Sequence, residues 1–120
     1  MTKHLPYSRA DRIATEIHHV VAEYIHNDLD DPRVAGVLIT QVKLTKDLRL
    51  ARIHFFLRGS DMQRRECQAG LEQAAGRLKH AINQQIVMRY MPALEFHFDE
   101  TIEHAERIED LLQEIHKEES

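Results

Sequence analysis

Between Ser60 and Met91 the chain carries a stretch that limits its folding choices more than any other. Ser60 and Gln63 form the S-x-x-Q pair of a capping box, which starts a helix just after Gly59. Leu71, Ala75, Leu78, Ile82 and Ile86 then recur every three or four residues, one apolar face with a period of 3.6. A face of that kind has to be laid against another layer. Gly76 interrupts it, and an interior glycine costs a helix roughly 1 kcal/mol relative to alanine. Two roles fit a glycine there. It can let a neighbour pack closely, or it can mark a helix–kink–helix at Ala74-Ala75-Gly76 that aims Arg77 and Lys79 at a phosphate chain. The local pattern is compatible with both at once.

The flanking segments supply the other layers. Ser8-Arg9-Ala10-Asp11 reads as a second helix start, followed at helical spacing by Ile13, Ile17, Val20, Val21, Tyr24 and Ile25. That helix must stop before Pro32, because proline pushes the preceding residue out of the helical region. Val37–Leu44 and Ala51–Leu57 are β-branched and aromatic runs that read as strands. Thr45-Lys46-Asp47-Leu48 between them is short enough for an antiparallel hairpin. Leu94, Phe96 and Phe98 alternate with Glu95 and His97 after Pro92, a third strand. Thr101 is placed to cap a last helix with a narrow apolar stripe of Ile108, Leu111, Leu112 and Ile115 and acidic flanks. The order α-β-β-α-kink-α-β predicts an α+β fold. A three-stranded sheet has its helices on one face, and residues 101–120 form an acidic helical extension of a single domain spanning 1–120.

Charge is unevenly distributed. Residues 33–92 carry eleven basic side chains against four acidic ones, whereas residues 99–120 carry two against nine. A basic middle between acidic ends fits a polyanion partner, and it fits equally well a fold in which the two signs pair internally. The single cysteine, Cys67, excludes an intramolecular disulfide framework. No apolar run approaches the ~18 residues of a membrane span, and Met1–Tyr7 has no apolar signal core, so the expected setting is cytoplasmic, with no membrane partner. No P-loop, nucleophile elbow or Cys–His pair is present, and no catalysis or cofactor is expected. His19, Glu23 and His26 share a helix face, but three lone side chains without an H-E-x-x-H or Cys/His cluster make a poor metal site.

Several short segments carry a resemblance. Asp31-Pro32-Arg33, Thr45-Lys46-Asp47-Leu48, Ala74-Ala75-Gly76, Arg89-Tyr90-Met91-Pro92, Phe98-Asp99-Glu100-Thr101-Ile102-Glu103-His104 and Arg107-Ile108-Glu109-Asp110-Leu111-Leu112 follow one another with the spacing of the ribosome-binding factor A family, across about residues 8–115. The resemblance implies a type II KH-like fold and a non-catalytic bacterial assembly factor. Such a factor binds the free small (30S) ribosomal subunit and assists late maturation of 16S rRNA, including processing near its 5′ end. It implies 16S rRNA as the main partner, ribosomal proteins and other assembly factors as further ones, and a monomer. It also implies that an Ala-x-Gly kink, here Ala74, Ala75 and Gly76, replaces the G-x-x-G loop with which ordinary KH domains clamp about four nucleotides. The chain departs from the family pattern in its uncharged run Asn83–Met88 and in Glu106.

The candidate phosphate contacts are Arg77 and Lys79 beside the kink, Lys43, Lys46, Arg49, Arg52 and Arg58 on the hairpin, Arg33 after Pro32, and Arg89. Arg33 has Asp30 and Asp31 as alternative ion-pair partners. Of the aromatic residues only Phe56 has the phase to stack on RNA; Phe55, Phe96 and Phe98 fall on the core phase.

Overall fold

The structure is a computed structural model that describes residues 7–119, with side chains described as far as residue 117. Residues 1–6, which the targeting-signal reading rests on, lie outside the described residues. In chain order the elements are α1 (Arg9–Asn27), a 3-10 turn (Pro32–Val34), β1 (Leu38–Leu44), β2 (Leu50–Phe56), α2 (Asp61–Gln85), β3 (Ala93–Phe98) and α3 (Thr101–Glu119).

Both capping boxes form. The Ser8 hydroxyl accepts from the Asp11 amide while the Ser8 amide donates to the Asp11 carboxylate. Ser60 and Gln63 repeat the exchange at the start of α2. After α1, Asp31 accepts from the Arg33 amide and so closes the turn that carries Pro32.

The sheet order is β1-β2-β3, with β1 antiparallel to β2 and β3 parallel to β2. Parallel pairing needs a crossover, and α2 is that crossover. Ile39 and Val42 from β1, Ala51, Ile53 and Phe55 from β2 and Phe96 from β3 share one core with Ile17 and Val21 of α1 and Leu71, Leu78 and Ile82 of α2. Ile39 and Val42 are three residues apart and would face opposite ways in a regular strand. A bulge between Ile39 and Gln41 turns both inward. The other sheet face bears the cross-strand rows Gln41–His54–His97 and Lys43–Arg52–Glu95.

In place of the paired helices expected from sequence, Ala74-Ala75-Gly76 lies inside a single helical element, α2, which runs from Asp61 to Gln85. Ala74 and Leu78 are buried on either side of the glycine, and burial of that face outweighs the ~1 kcal/mol propensity cost. Gly76 is no packing device either, since a Cβ built on it meets nothing within 4 Å. The close approach is at Gly70, where an added Cβ would stand 2.9 Å from Val34 Cγ1 and 3.4 Å from an Asp31 carboxylate oxygen. Gly70 is therefore the position that lets the Asp31–Val34 turn sit against α2.

The start of α3 also differs from expectation. Thr101 is the first helical residue, and it is the Asp99 carboxylate that holds the end, accepting from the Thr101 amide and hydroxyl and, through its other oxygen, from the Thr40 hydroxyl on β1. These bonds hold the Asp99 carboxyl below the usual carboxylate range, Thr101 contributing most. Within its first two turns α3 is also tied to the body by Arg64–Glu103 and by Arg58–Glu106 at 2.6 Å. Its stripe of Ile108, Leu111, Leu112 and Ile115 stays 47–59% exposed.

Candidate nucleic-acid interface

The basic residues are positioned by three parts of the fold. The first is the hairpin end of the sheet. Thr45 accepts from Leu48 through its carbonyl, and Leu48 adopts φ 63°, a left-handed conformation unusual for a leucine. The Asp47 carboxylate accepts from the Thr45 hydroxyl and the Arg49 amide, which holds its pKa below the ordinary value. The turn projects Lys46 and Arg49 at its end. The Arg49 carbonyl accepts from the Ala93 amide, so the segment before β3 is pinned beside the hairpin. That segment brings Arg89 and Tyr90 to Arg49. Both guanidiniums stand 5.5 Å from the Tyr90 ring centroid. Together with Arg9 from the first turn of α1, these residues line a cleft of about 250 Å³.

The second part is the open sheet face, where Lys43 stands directly opposite Arg52. Arg52 lies 3.6 Å from Glu95, which also meets His97 at 3.0 Å. The third is the outer side of the helix layer. Arg77 lines a cleft of about 290 Å³ with Gly76, Tyr24, Asp28 and His80. Lys79 does not join it: residues two apart on a helix are separated by about 200°. Along one helix Arg77 and Lys79 leave from different sides, and Arg77 is the one that shares this cleft with Gly76.

Several candidates are already engaged. Arg33 pairs with Asp31 rather than Asp30, at 2.7 Å, and also reaches Gln73 on α2. The Arg33 guanidinium lowers the Asp31 pKa, chiefly through this hydrogen bond. Arg58 forms a two-point ion pair with Glu106 that raises its own pKa and lowers that of its partner. Lys43, Lys46, Arg49, Arg77, Lys79 and Arg89 form no ion pair among the described residues. Phe56 is only 7% exposed, with the Phe98 ring at 5.7 Å and the Arg58 guanidinium over it, so it presents no open stacking surface.

Arg9 and Tyr90 belong to the hairpin-end cleft and were not among the residues singled out from sequence. Arg9 reads as part of a helix cap and Tyr90 as a loop residue beside Arg89. The signal for Tyr90 was an aromatic residue outside every apolar period, flanked by a basic residue. A cleft of about 880 Å³ between the second half of α1 and the edge of β1 is lined by no lysine or arginine but by His18, His26, Asp30, Asp31 and mainly apolar residues. His19 pairs with Glu23 at 3.4 Å on an exposed face, and among the described residues no three His, Cys, Asp or Glu side chains are placed to hold a metal. Burial drives the Cys67 thiol up to about 11 and keeps it protonated. No described helix is long and apolar enough to cross a membrane.

These features define a KH-like α+β domain: a three-stranded mixed sheet backed by two helices, with its unpaired cations in separate patches on the surface. Comparison with known proteins takes the assignment further. The family model for ribosome-binding factor A matches residues 9–112, and the chain belongs to that family. A relative from Geobacter sp. strain M21, described as ribosome-binding factor A, is 37% identical over 107 residues, covering 89% of this chain and 90% of the relative. The crystal structure of ribosome-binding factor A from Thermus thermophilus superposes with a TM-score of 0.67 at 25% identity, over 74% of this chain and 93% of that one. Coordinates of the Thermus thermophilus protein fitted into a cryo-EM map of a 30S complex match with a TM-score of 0.61 at 26% identity, over 74% of this chain and 93% of that one.

Proposed function

We propose that this chain is a non-catalytic, cytoplasmic assembly factor that binds the free small ribosomal subunit as a monomer. There it assists late maturation and processing of 16S rRNA near its 5′-terminal helix. The observation that carries this reading is the likeness, over most of the fold, to a relative described within a 30S complex. Docking free energy would come from shape match and phosphate contacts, and binding would shift which rRNA conformation is populated. The unpaired cations Lys43, Lys46, Arg49, Arg77, Lys79 and Arg89 are the first candidates for those contacts. Arg33, Arg52 and Arg58 must first give up a carboxylate and rank behind them. Gly76, with Ala74 and Ala75 behind it, is read as a bare stretch of helix surface that RNA backbone approaches closely.

The test is co-sedimentation of the purified chain with small subunits and with whole ribosomes across a salt series. Binding to free small subunits alone, weakening as salt rises, is the expected result. A folded protein that ignores small subunits at low salt would end the proposal. One observation favours a second role for residues 101–120. The exposed stripe of α3 and its acidic flanks suit a basic protein partner, so removing these residues should spare RNA affinity and abolish only protein contacts.

A further inference from the structure

The hairpin-end cleft differs from the other cationic patches in setting two guanidiniums against an exposed aromatic ring, that of Tyr90. It is built from three separate parts of the chain: Arg9 at the start of α1, Asp47, Leu48 and Arg49 from the hairpin, and Met88, Arg89 and Tyr90 from the segment before β3. Arg9, Arg49 and Arg89 oppose one carboxylate, Asp47, so the cleft is net positive. One Asp47 oxygen is occupied by the Thr45 hydroxyl and the Arg49 amide, and no other described residue hydrogen-bonds to the second oxygen. Tyr90 is 60% exposed, so two guanidiniums at 5.5 Å do not cover both faces of its ring.

Its size decides what it can take. At about 250 Å³ the cleft falls just below the roughly 300 Å³ at which drug-sized sites begin, which is room for one base-sized group. Aromatic rings and guanidinium planes are the surfaces on which unstacked bases settle, and every base offers a π-face. Two guanidiniums beside such a ring, with Arg9 lining the same cleft, match the charges that flank a base in a strand.

Resting on the assembly-factor reading, we infer that this cleft is a subsite for one unstacked nucleotide of single-stranded RNA. The base lies on Tyr90, and the adjoining phosphates are held by Arg9, Arg49 and Arg89. The free Asp47 oxygen is the acceptor within the cleft for a ribose hydroxyl, which would favour RNA over DNA.

The chain has no tryptophan and three tyrosines, so tyrosine fluorescence reports on Tyr90 by difference. The probes are a short mixed-sequence single-stranded oligoribonucleotide, the same strand with an abasic centre, and an acidic peptide of equal charge. The intact strand should quench wild-type fluorescence. Tyr90→Leu should weaken its binding about 10-fold, from the loss of base–aromatic stacking. Tyr90→Phe should recover most of that loss while abolishing the quench. Arg9→Gln should reduce the slope of log affinity against log salt by about 1. Equal binding of the intact and abasic strands, with Tyr90→Leu unchanged, overturns the inference, as does tighter binding of the acidic peptide. Salt-dependent subunit binding by wild type without any strand binding or quench overturns this subsite and leaves the assembly-factor reading standing. A quenched strand with no subunit binding does the reverse.

Discussion

Gly70 and Gly76 lie six residues apart in one helix, and alanine at each should act with opposite sign. At Gly76 an added Cβ meets nothing within 4 Å and α2 continues on both sides, so Gly76→Ala should return the full propensity difference of roughly 1 kcal/mol. For a chain of this size that is a rise in Tm of about 3–5 °C. At Gly70 the same gain is opposed by a contact of 2.9 Å with Val34 Cγ1. Val34 is 3% exposed and β-branched, so its χ1 cannot swing away. Overpacking of this kind costs about 1–3 kcal/mol, leaving Gly70→Ala a net loss of about 1 kcal/mol. Urea and thermal unfolding followed by far-UV circular dichroism measure both, and an unchanged m-value keeps the comparison between like states. A Gly76→Ala variant destabilised by about 1 kcal/mol or more would refute the reasoning, because it would show that the glycine's backbone freedom is in use and that α2 is bent there. Gly76→Val extends the test to binding. It should remain close to wild-type stability while weakening small-subunit co-sedimentation, since it fills the helix surface that the proposed function leaves to RNA.

Burial, followed by the charges of His97, Lys43 and Arg52, depresses the His54 pKa from 6.5, with Asp99 opposing them. A depressed histidine contributes stability above the unfolded pKa and loses it as pH falls, so unfolding free energy should decline below pH 6.5, and His54→Gln should flatten that part of the profile. Cys67, fully buried with its thiol pushed up to about 11, should react with a thiol reagent at mildly alkaline pH only as fast as the protein opens, and at once in denaturant. Leu111→Ser on the exposed α3 stripe should change unfolding free energy by less than about 0.5 kcal/mol, measured by urea titration, because nothing covers that side chain. Asp99→Ala removes the acceptor shared by Thr40 and Thr101. It should free the start of α3 from the sheet, seen as faster amide exchange at His104, whose N–H bonds to the Glu100 carbonyl.

What sequence revealed and what it hid divide along the range of the interactions involved. Ser8, Asp11, Ser60 and Gln63 act within one helical turn, and both caps form at the expected residues. Leu71, Leu78 and Ile82 show their phase through local periodicity, and they are buried. The parallel placement of β3 depends on how α2 crosses the sheet, which no spacing within Ala93–Phe98 records. The bulge after Ile39 is likewise a matter of pairing with β2 rather than of composition. A glycine in a helical period, such as Gly76, has the same appearance whether the helix bends or continues. Gly70 passed unnoticed because its partner, Val34, is remote in sequence. Arg9 and Tyr90 meet Arg49 and Arg89 only once the Arg49 carbonyl has bonded to the Ala93 amide.

The same geometry accounts for where the acidic and basic ends of the chain meet. β2 and β3 run parallel, so both begin at the hairpin and both end near α3. Arg58 and Arg64 follow the far end of β2 and take Glu106 and Glu103 as partners. Six to seven residues of strand, roughly 20 Å, separate that end from Arg49. This is about twice the Debye length at ordinary ionic strength, so Glu103 and Glu106 act only weakly on the potential around Arg9, Arg49 and Arg89. Glu103 and Glu106 thus lower the net charge of the chain without neutralising its hairpin end. Internal pairing therefore occupies the α3 end of the sheet, and the polyanion partner proposed for this chain is left the hairpin end.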